Sequence, residues 1–262
     1  MKLKFYKYQG AGNDFVLIDN RNKTLTVDVK LFAHLCDRRF GIGGDGIMLL
    51  QNHPGFDFEM IYANSDGRPS TMCGNGGRCI TAFANHLGIF NAETNFIAVD
   101  GPHYAKLTEK GVSLEMIDVS EIESNSDFFV LNTGSPHYVK EVSDVKDLNV
   151  FESGRSIRYN DRFKAEGINV NFVEDKGDHL IVRTYERGVE DETLACGTGV
   201  TAVALAMMKK KGLTGTHTTH IKAMGGDLSV TATTSDGNAF TSVFLEGPAD
   251  YVFEGEIEIE TV

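Results

Sequence analysis

Residues 201–208 constrain the fold of this chain most strongly, because they are small or apolar on every side of a helix. A helix with one wet face would carry a polar stripe, so this composition predicts a helix that is buried all round. Three lysines and Gly212 follow, which matches the cations and the left-handed residue that commonly end helices. The rest of the chain must therefore wrap around this helix.

A cysteine stands at the entrance of the same helix. Cys196 is followed by Gly197 and Gly199, which have no side chains to cover the backbone N–H groups of the first turn. These N–H groups can bind an anion, and a thiol beside them is expected to ionise readily and to be reactive. We therefore predict that Cys196 is a functional thiol.

The same pattern occurs once more, in the first half of the chain. Cys73, Gly74 and Gly76 precede residues 80–87, where apolar side chains recur at helical spacing. The two Cys-Gly-x-Gly segments lie 196 − 73 = 123 residues apart in a chain of 262 residues. This spacing predicts two similar halves, each with one thiol.

Composition narrows the class of protein. The formal net charge of −12 argues against binding to nucleic acid or to an anionic membrane surface. The sequence has neither an apolar run of membrane-spanning length nor a secretory signal, so we expect a cytoplasmic protein with reduced cysteines. The cysteines lack zinc-knuckle spacing, so no metal site is expected, and Cys36 is interpreted as a core residue.

Short alternating segments predict mostly antiparallel sheets. We expect an α/β (α+β) fold of two similar domains, each a mostly antiparallel sheet wrapped around one central buried helix. The polar, acidic stretch 119–127 suggests a boundary between an N-terminal domain over residues 1–118 and a C-terminal domain over residues 119–250. A final strand over residues 251–262 is expected to complete the N-terminal domain. Two further helices are expected over residues 28–39 and 144–151.

Two reactive thiols at separate helix starts suggest an acid and a base on either side of one carbon. Removal of an α-proton from one face of an amino acid, with its return on the other face, inverts the centre. Two helix N-termini aimed at the carboxylate would stabilise the anion that develops. The sequence shows no pyridoxal-lysine motif and no dinucleotide fingerprint, so we expect chemistry without a cofactor.

Other readings of the two thiols stay open at this point. A related two-thiol racemase could act on another amino acid, such as proline or hydroxyproline. A redox protein could use a reversible Cys73–Cys196 disulfide, and an anion-binding module could use both helix starts without turnover. Exchange of solvent deuterium into the α-position of an amino acid distinguishes an epimerase or racemase from the last two.

Several segments together resemble the diaminopimelate epimerase family, in the same order and over the whole chain. They are residues 10–15, 41–46, 64–67, 73–79, 135–137, 185–188 and 195–199. The resemblance implies interconversion of the small molecules LL- and meso-2,6-diaminoheptanedioate, on the route to lysine and peptidoglycan. It also implies an active site in the cleft between two similar domains.

The resemblance assigns roles to individual residues. Cys73 and Cys196 match the catalytic pair, and His137 and Glu186 match positions that tune the thiols. Arg187 could clasp a carboxylate through two hydrogen bonds. The positions that match substrate contacts, through side chain or backbone, are Asn13, Asn64, Gly74, Asn75, Asn171, Glu186, Arg187, Gly197 and Thr198.

Some positions depart from the family pattern. Ser135 stands where the family usually has Asn, residues 187–193 are one residue longer and more acidic than usual, and Gly46 stands where some members have Gln. The family can pair through a C-terminal strand, in which Phe253 replaces the Tyr of some members. A homodimer is therefore expected from the resemblance.

Overall fold

A computed structural model describes residues 1–259, which form two compact units. The first unit comprises Met1–Leu114 and the C-terminal segment from Pro248, and the second comprises Glu115–Gly247. These boundaries lie a few residues from the predicted ones. The end of the predicted strand 251–262, residues 260–262, lies outside the described residues. Across the described part of the chain, no helix has the length and apolar character needed to cross a membrane.

Strands dominate both units, with a few helices between them. In chain order the elements are β1 (Lys2–Gly10), β2 (Asn13–Asp19), α1 (Val29–Cys36), β3 (Gly46–Gln51), β4 (Phe58–Asn64), α2 (Gly74–His86), β5 (Glu93–Ala98), β6 (Gly101–Thr108), β7 (Gly111–Glu115), β8 (Glu123–Ser124), β9 (Phe129–Asn132), β10 (Pro136–Glu141), a 3-10 helix (Val145–Asp147), α3 (Val150–Arg158), β11 (Asn169–Asp175), β12 (Leu180–Glu186), β13 (Asp191–Thr193), α4 (Gly197–Lys210), β14 (Gly215–Ala223), β15 (Gly226–Thr234), β16 (Thr241–Gly247) and β17 (Asp250–Glu258).

The first unit is a mixed sheet around α2. Strand β1 pairs antiparallel with both β2 and β17, and α1 connects the parallel strands β2 and β3. Strands β3 and β4 are antiparallel. Helix α2 then connects β4 to the parallel strand β5, and β5, β6 and β7 continue antiparallel. Helix α2 packs on β1, β2 and β6.

The second unit repeats this order of elements. Strands β9 and β10 are antiparallel, α3 connects the parallel strands β10 and β11, and β11 is antiparallel to β12. Helix α4 connects β12 to the parallel strand β14, followed by antiparallel β15 and β16. Helix α4 packs on β10, β11, β14 and β15. Each unit is therefore a mostly antiparallel sheet with one central helix, as predicted.

The two central helices are enclosed as their composition requires. In α4 every residue from Gly199 to Met208 is buried, and in α2 the first turns are buried through Thr81. Each helix is followed by a glycine with positive φ, Gly88 at 72° and Gly212 at 63°. Residues with side chains rarely adopt this conformation, so these glycines suit the ends of the helices.

Two expectations about local structure differ from the result. The prediction of a helix over residues 144–151 was wrong. The chain forms a 3-10 helix at Val145–Asp147, and α3 starts only at Val150. Asn149 sets that start, since its Oδ1 accepts a hydrogen bond from the Glu152 N–H at 3.1 Å. The acidic stretch 119–127 lies inside the second unit, where buried Val119 pairs with Phe240.

Candidate active site

In the first unit, Cys73 is the N-cap residue of α2. Its backbone is extended (φ −105°, ψ 131°), and its carbonyl accepts the Gly77 N–H at 2.7 Å. The sulfur is therefore attached to the residue at the positive end of a helix dipole. The backbone N–H groups of Gly74 and Asn75 follow directly, so the predicted anion-binding groups accompany the thiol.

The amide of Asn13 contacts this thiol. Its Oδ1 lies 3.8 Å from the Cys73 Sγ and 3.4 Å from the Asn75 Nδ2. Its Nδ2 donates to the Asp45 carboxylate at 2.5 Å. Since a carboxylate accepts and does not donate, this contact turns the amide so that its oxygen faces Cys73.

An ion-pair network that runs from buried Lys7 to the exposed side chains of Arg38 and Asp45 supports the loop that carries Asp45. The Asp14 carboxylate lies 2.7 Å from the Lys7 ammonium and 2.6 Å from the Arg38 guanidinium, which also reaches Asp45 at 2.7 Å. Burial alone would raise the pKa of Asp14, but the hydrogen bonds from Arg38 and Lys7 outweigh it and hold that pKa well below its ordinary value. This network of charges therefore holds Asp45 in position next to Asn13, and no pattern in the sequence predicted it.

Arg78 orients the neighbouring amide. Its guanidinium is fully buried and donates to the Asn75 Oδ1 at 3.0 Å, to the Gly74 carbonyl at 3.2 Å and to the Pro248 carbonyl at 3.3 Å. Burial lowers the pKa of Arg78, and the nearby Cys79 and Cys73 act in the opposite direction. The contact turns the Asn75 amide so that its nitrogen faces Asn13.

Asn64 and Gly46 lie where β4 and β3 pair. Asn64 is exposed at the end of β4, so its side chain is accessible to a ligand. A side chain at Gly46 would bring its Cβ to 2.5 Å from the Tyr62 ring and 2.8 Å from the Ala63 carbonyl. The Gln that some family members have at this position therefore does not fit here.

In the second unit, Cys196 is the N-cap residue of α4. Its backbone is also extended (φ −111°, ψ 112°), and its carbonyl accepts the Val200 N–H at 2.8 Å. The residue is 8% exposed, and its Sγ lies 3.4 Å from the Thr198 Oγ1. The two units therefore present a cysteine in the same backbone setting.

His137 belongs to the same cluster. Its Nε2 lies 2.9 Å from the Thr198 Oγ1, and its Nδ1 lies 3.1 Å from the Asn171 Nδ2. Burial, aided by the charge of Arg187, lowers the pKa of His137 to about 3. The imidazole is therefore neutral at physiological pH.

Asn171, which is predicted to contact the substrate, lies next to His137. Its side chain is fully buried, with Nδ2 donating to the Tyr138 carbonyl at 3.0 Å and Oδ1 accepting from the Thr184 hydroxyl at 2.9 Å. These contacts, together with the one to His137, use both ends of the amide and hold the imidazole in place.

Asn169 is not among the predicted site residues, but its side chain links two segments that carry the family resemblance, at Ser135 and at Arg187. Its Nδ2 donates to the Ser135 hydroxyl at 2.9 Å, and its Oδ1 accepts the Arg187 N–H at 2.9 Å. Asn169 and Asn171 are two residues apart on β11, so their side chains share one face of the strand. This alternation is the only feature of the sequence that pointed to Asn169. It does not distinguish Asn169 from Asn171 as the residue that contacts Arg187.

The acidic segment 187–193, which is one residue longer than usual in the family, forms a tight turn and the short strand β13. The Glu190 N–H donates to the Glu186 carbonyl at 2.8 Å, and β13 then pairs with the end of β12. The Glu186 carboxylate accepts from the Thr193 hydroxyl at 2.9 Å. Arg187 is exposed, and its guanidinium reaches the Ser135 hydroxyl at 3.3 Å, so Ser135 fills part of the place of the expected Asn.

Cys36 and Cys79 differ from the two N-cap cysteines. Both are buried, and burial raises the pKa of each thiol to about 12. They remain protonated at neutral pH and are inert. Cys36 is a core residue, as predicted.

Comparison with known proteins shows the family of this chain. The chain matches the family model for diaminopimelate epimerase over residues 5–117 and 129–252. It is 48% identical to a diaminopimelate epimerase of Flavobacterium psychrophilum, covering 97% of this chain and 100% of the relative. It is 40% identical to the Chlorobaculum tepidum protein of that name, covering 95% and 99%.

The fold is shared more widely. A phenazine biosynthesis protein of the PhzF family from Bacillus anthracis superimposes with a TM-score of 0.76 at 14% identity, covering 99% of this chain and 100% of that one. This likeness concerns the fold alone. The matches in sequence go further, and the chain belongs to the diaminopimelate epimerase family.

Proposed function

We propose that this protein interconverts LL- and meso-2,6-diaminoheptanedioate by a cofactor-independent mechanism with Cys73 and Cys196 as the acid and the base. One observation carries the proposal: both units place a cysteine at the N-cap of a buried helix, with the same backbone conformation. Membership of the diaminopimelate epimerase family supplies the substrate. The reaction belongs to the synthesis of lysine and of peptidoglycan precursors.

The proposed reaction moves one proton at each face of the α-carbon. The thiolate of one cysteine takes the α-proton, and the thiol of the other gives its proton to the opposite face. A C–H bond and an S–H bond break, one of each forms, and the two sulfurs exchange protonation states. Acid and base catalysis of this kind each contribute about 10²–10⁴-fold.

The helix N-termini would stabilise the charge that develops during this reaction. Loss of the α-proton leaves an enediolate-like anion beside the substrate carboxylate. Backbone N–H groups of Gly74, Asn75, Gly197 and Thr198 are the donors that we assign to it. Because these groups are fixed by the helices, they need no rearrangement as the charge forms.

The distal end of the substrate is a second amino acid group, with both charges. We assign its carboxylate to the exposed guanidinium of Arg187 and its ammonium to Glu186, with amide contacts from Asn13 and Asn64. Asn169 supports this arrangement, since it fixes the backbone of Arg187. Racemases of proline-like substrates would have no use for such distal charges, so we favour diaminoheptanedioate.

Incubation with LL-2,6-diaminoheptanedioate in deuterium oxide, with a thiol reductant and no added cofactor, tests the proposal. We expect deuterium at the α-carbon of the meso product, and no exchange with proline or hydroxyproline. A redox protein or an anion-binding module would leave the α-C–H bond of every substrate unchanged. That result would refute the proposal.

We further propose that two copies pair through β17 and that the enzyme acts in the cytoplasm. Strand β17 pairs with β1, and its residues Tyr251, Val252 and Phe253 are 46%, 51% and 43% exposed. These three exposed apolar side chains, at the start of an otherwise acidic strand, are a natural surface for a second copy. Sedimentation of the wild type and of Phe253→Lys tests this, since a dimer through β17 should dissociate more readily in the variant.

A further inference from the structure

The orientation of the Asn171 amide follows from one neighbour. Its Nδ2 lies 3.0 Å from the Tyr138 carbonyl, which can only accept a hydrogen bond. The NH₂ group must therefore be on that side, and the oxygen must face the Thr184 hydroxyl at 2.9 Å. The same NH₂ group lies 3.1 Å from the His137 Nδ1.

This orientation fixes the tautomer of His137. A ring nitrogen that faces an NH₂ donor must be unprotonated, so the single proton of the neutral imidazole is on Nε2. Nε2–H then donates to the Thr198 Oγ1 at 2.9 Å. The Thr198 hydroxyl can give its own proton to the Cys196 Sγ at 3.4 Å. Either atom of this last contact can donate, and with the Thr198 hydroxyl as the donor the series ends on the sulfur of Cys196.

The amides beside Cys73 have the opposite effect. The Asp45 carboxylate takes the Asn13 NH₂ group, and the Arg78 guanidinium takes the oxygen of Asn75. The Asn13 Oδ1 is thereby left facing the Cys73 Sγ at 3.8 Å. An amide oxygen accepts and cannot donate, so this contact favours the protonated thiol.

We infer that, before substrate binds, Cys196 is held as the thiolate and Cys73 as the thiol, with Asn171 and Thr198 as the positioning residues that create this difference. The inference deepens the proposed function and rests on it for its catalytic meaning. The isomer whose α-hydrogen faces Cys196 is then the one that the resting enzyme accepts. After its turnover the proton is on Cys196, and Cys73 is the thiolate.

Charged groups around Cys196 come from β10 and β12. His137 on β10 is neutral, Glu186 at the end of β12 accepts from Thr193, and Arg187 follows it. Glu186 and Arg187 carry opposite charges, so their effects on a charge at the sulfur oppose each other. The contact on which we base the state of the sulfur is the one with the Thr198 hydroxyl.

Charged groups around Cys73 come from the segments that pack at the start of α2. Arg78 favours a thiolate there, whereas the carboxylates of Asp14 and Asp45 are paired with the cations of Lys7 and Arg38, so these four charges largely cancel. The direct contact with the Asn13 oxygen opposes the effect of Arg78. The sulfur of Cys73 therefore keeps its proton.

Alkylation by iodoacetamide without substrate tests the inference, because only a thiolate reacts. The rate at each cysteine is followed by peptide mass spectrometry over a series of pH values. The midpoint is the pH at which the alkylation rate of a cysteine reaches half of its maximum. We expect this midpoint to lie at a lower pH for Cys196 than for Cys73. Accessibility alone predicts that Cys73 reacts faster, since Cys73 is half-buried and Cys196 is 8% exposed, so the midpoints and not the rates are compared.

Variants of the hydrogen-bond series sharpen the test. Thr198→Val should raise the Cys196 midpoint by about one to two pH units, the value of one hydrogen bond to a charged group, and Thr198→Ser should restore it. Asn171→Leu should shift the Cys196 midpoint in the same direction as Thr198→Val. Neither change should move the Cys73 midpoint.

Thr201→Val is the matched control, since the Thr201 hydroxyl donates to the Gly197 carbonyl in the same helix at 3.0 Å. We expect no shift from this variant, and protection of buried Cys36 and Cys79 verifies the fold of every variant. Equal midpoints, a lower midpoint at Cys73, or no shift in Thr198→Val would overturn the inference. The assay needs no turnover, so failure of the proposed function would appear separately, as absent deuterium exchange by the wild type.

Discussion

The carboxylate of Asp14 lies 2.7 Å from the ammonium of Lys7, a pair whose side chains are 20% and 8% exposed. Lys7 also donates to the Gly43 carbonyl. A buried ammonium that loses its carboxylate partner remains charged in a poorly solvated place, at a cost of several kcal/mol. This pair therefore stabilises the loop that presents Asp45 to Asn13.

We expect Asp14→Asn to lower the free energy of unfolding by about 3 kcal/mol, because it leaves Lys7 buried without a counter-charge. Urea unfolding at neutral pH measures the change. Arg38→Gln is the control, since the Arg38 side chain is 58% exposed and its loss should cost less than about 1 kcal/mol. Equal losses in the two variants would show that burial of Lys7 does not matter.

Equivalent glycines in the two cysteine helices predict different tolerance to alanine. A Cβ at Gly199 would lie 2.5 Å from the Asn171 Oδ1, which other hydrogen bonds hold in place. A Cβ at Gly76 would meet the terminal methyl of Met48, which can move. We expect Gly199→Ala to lower kcat by about 10²-fold through misplacement of the cluster, and Gly76→Ala to change kcat by less than about tenfold. Steady-state kinetics with LL-2,6-diaminoheptanedioate measures both, and a comparable loss in Gly76→Ala would contradict the distinction.

Burial of neutral His137 predicts a specific dependence of stability on pH. Its pKa is about 3 in the folded protein, against an ordinary value of 6.5. Above pH 6.5 the ring is neutral in both states, so it adds no pH dependence. Below pH 6.5 the unfolded chain binds a proton that the folded chain does not, so stability falls until the pH reaches about 3.

We therefore expect the wild type to lose about 2 kcal/mol more than His137→Gln when the pH falls from 6.5 to about 5. Urea unfolding of both proteins over this range gives the difference, in which the shared carboxylates largely cancel. Parallel stability curves for the two proteins would mean that His137 is not held neutral by the fold.

Some of this organisation was predictable because it leaves a local pattern. Helix α4 is apolar on all sides, and its length and central position follow from the need to bury such a segment. The repeated Cys-Gly-x-Gly start pointed to two similar halves, and the two units indeed share one order of elements. Family resemblance then supplied the chemistry that these patterns alone left open.

Other features depend on contacts between distant segments and leave no local pattern. Asn169 and Asn171 are indistinguishable by alternation on β11, and partners on β10 and β12 decide that Asn171 holds His137. Asp45 acts on Asn13 through a loop whose position depends on Lys7 and Asp14. The start of α3 was misplaced, because the apolar residues around 145–151 suit a helix and the cap at Asn149 determines where it begins.

Deuterium incorporation by single-cysteine variants tests the two-thiol account most directly. Cys73→Ala retains one base and Cys196→Ala retains the other, so each should exchange the α-proton of one isomer without inverting it. We predict that the two variants act on opposite isomers of 2,6-diaminoheptanedioate in deuterium oxide and that neither forms the other isomer. Cys36→Ala, a change at a core cysteine, should epimerise as the wild type does. Epimerisation near the wild-type rate by either Cys73→Ala or Cys196→Ala would contradict the account.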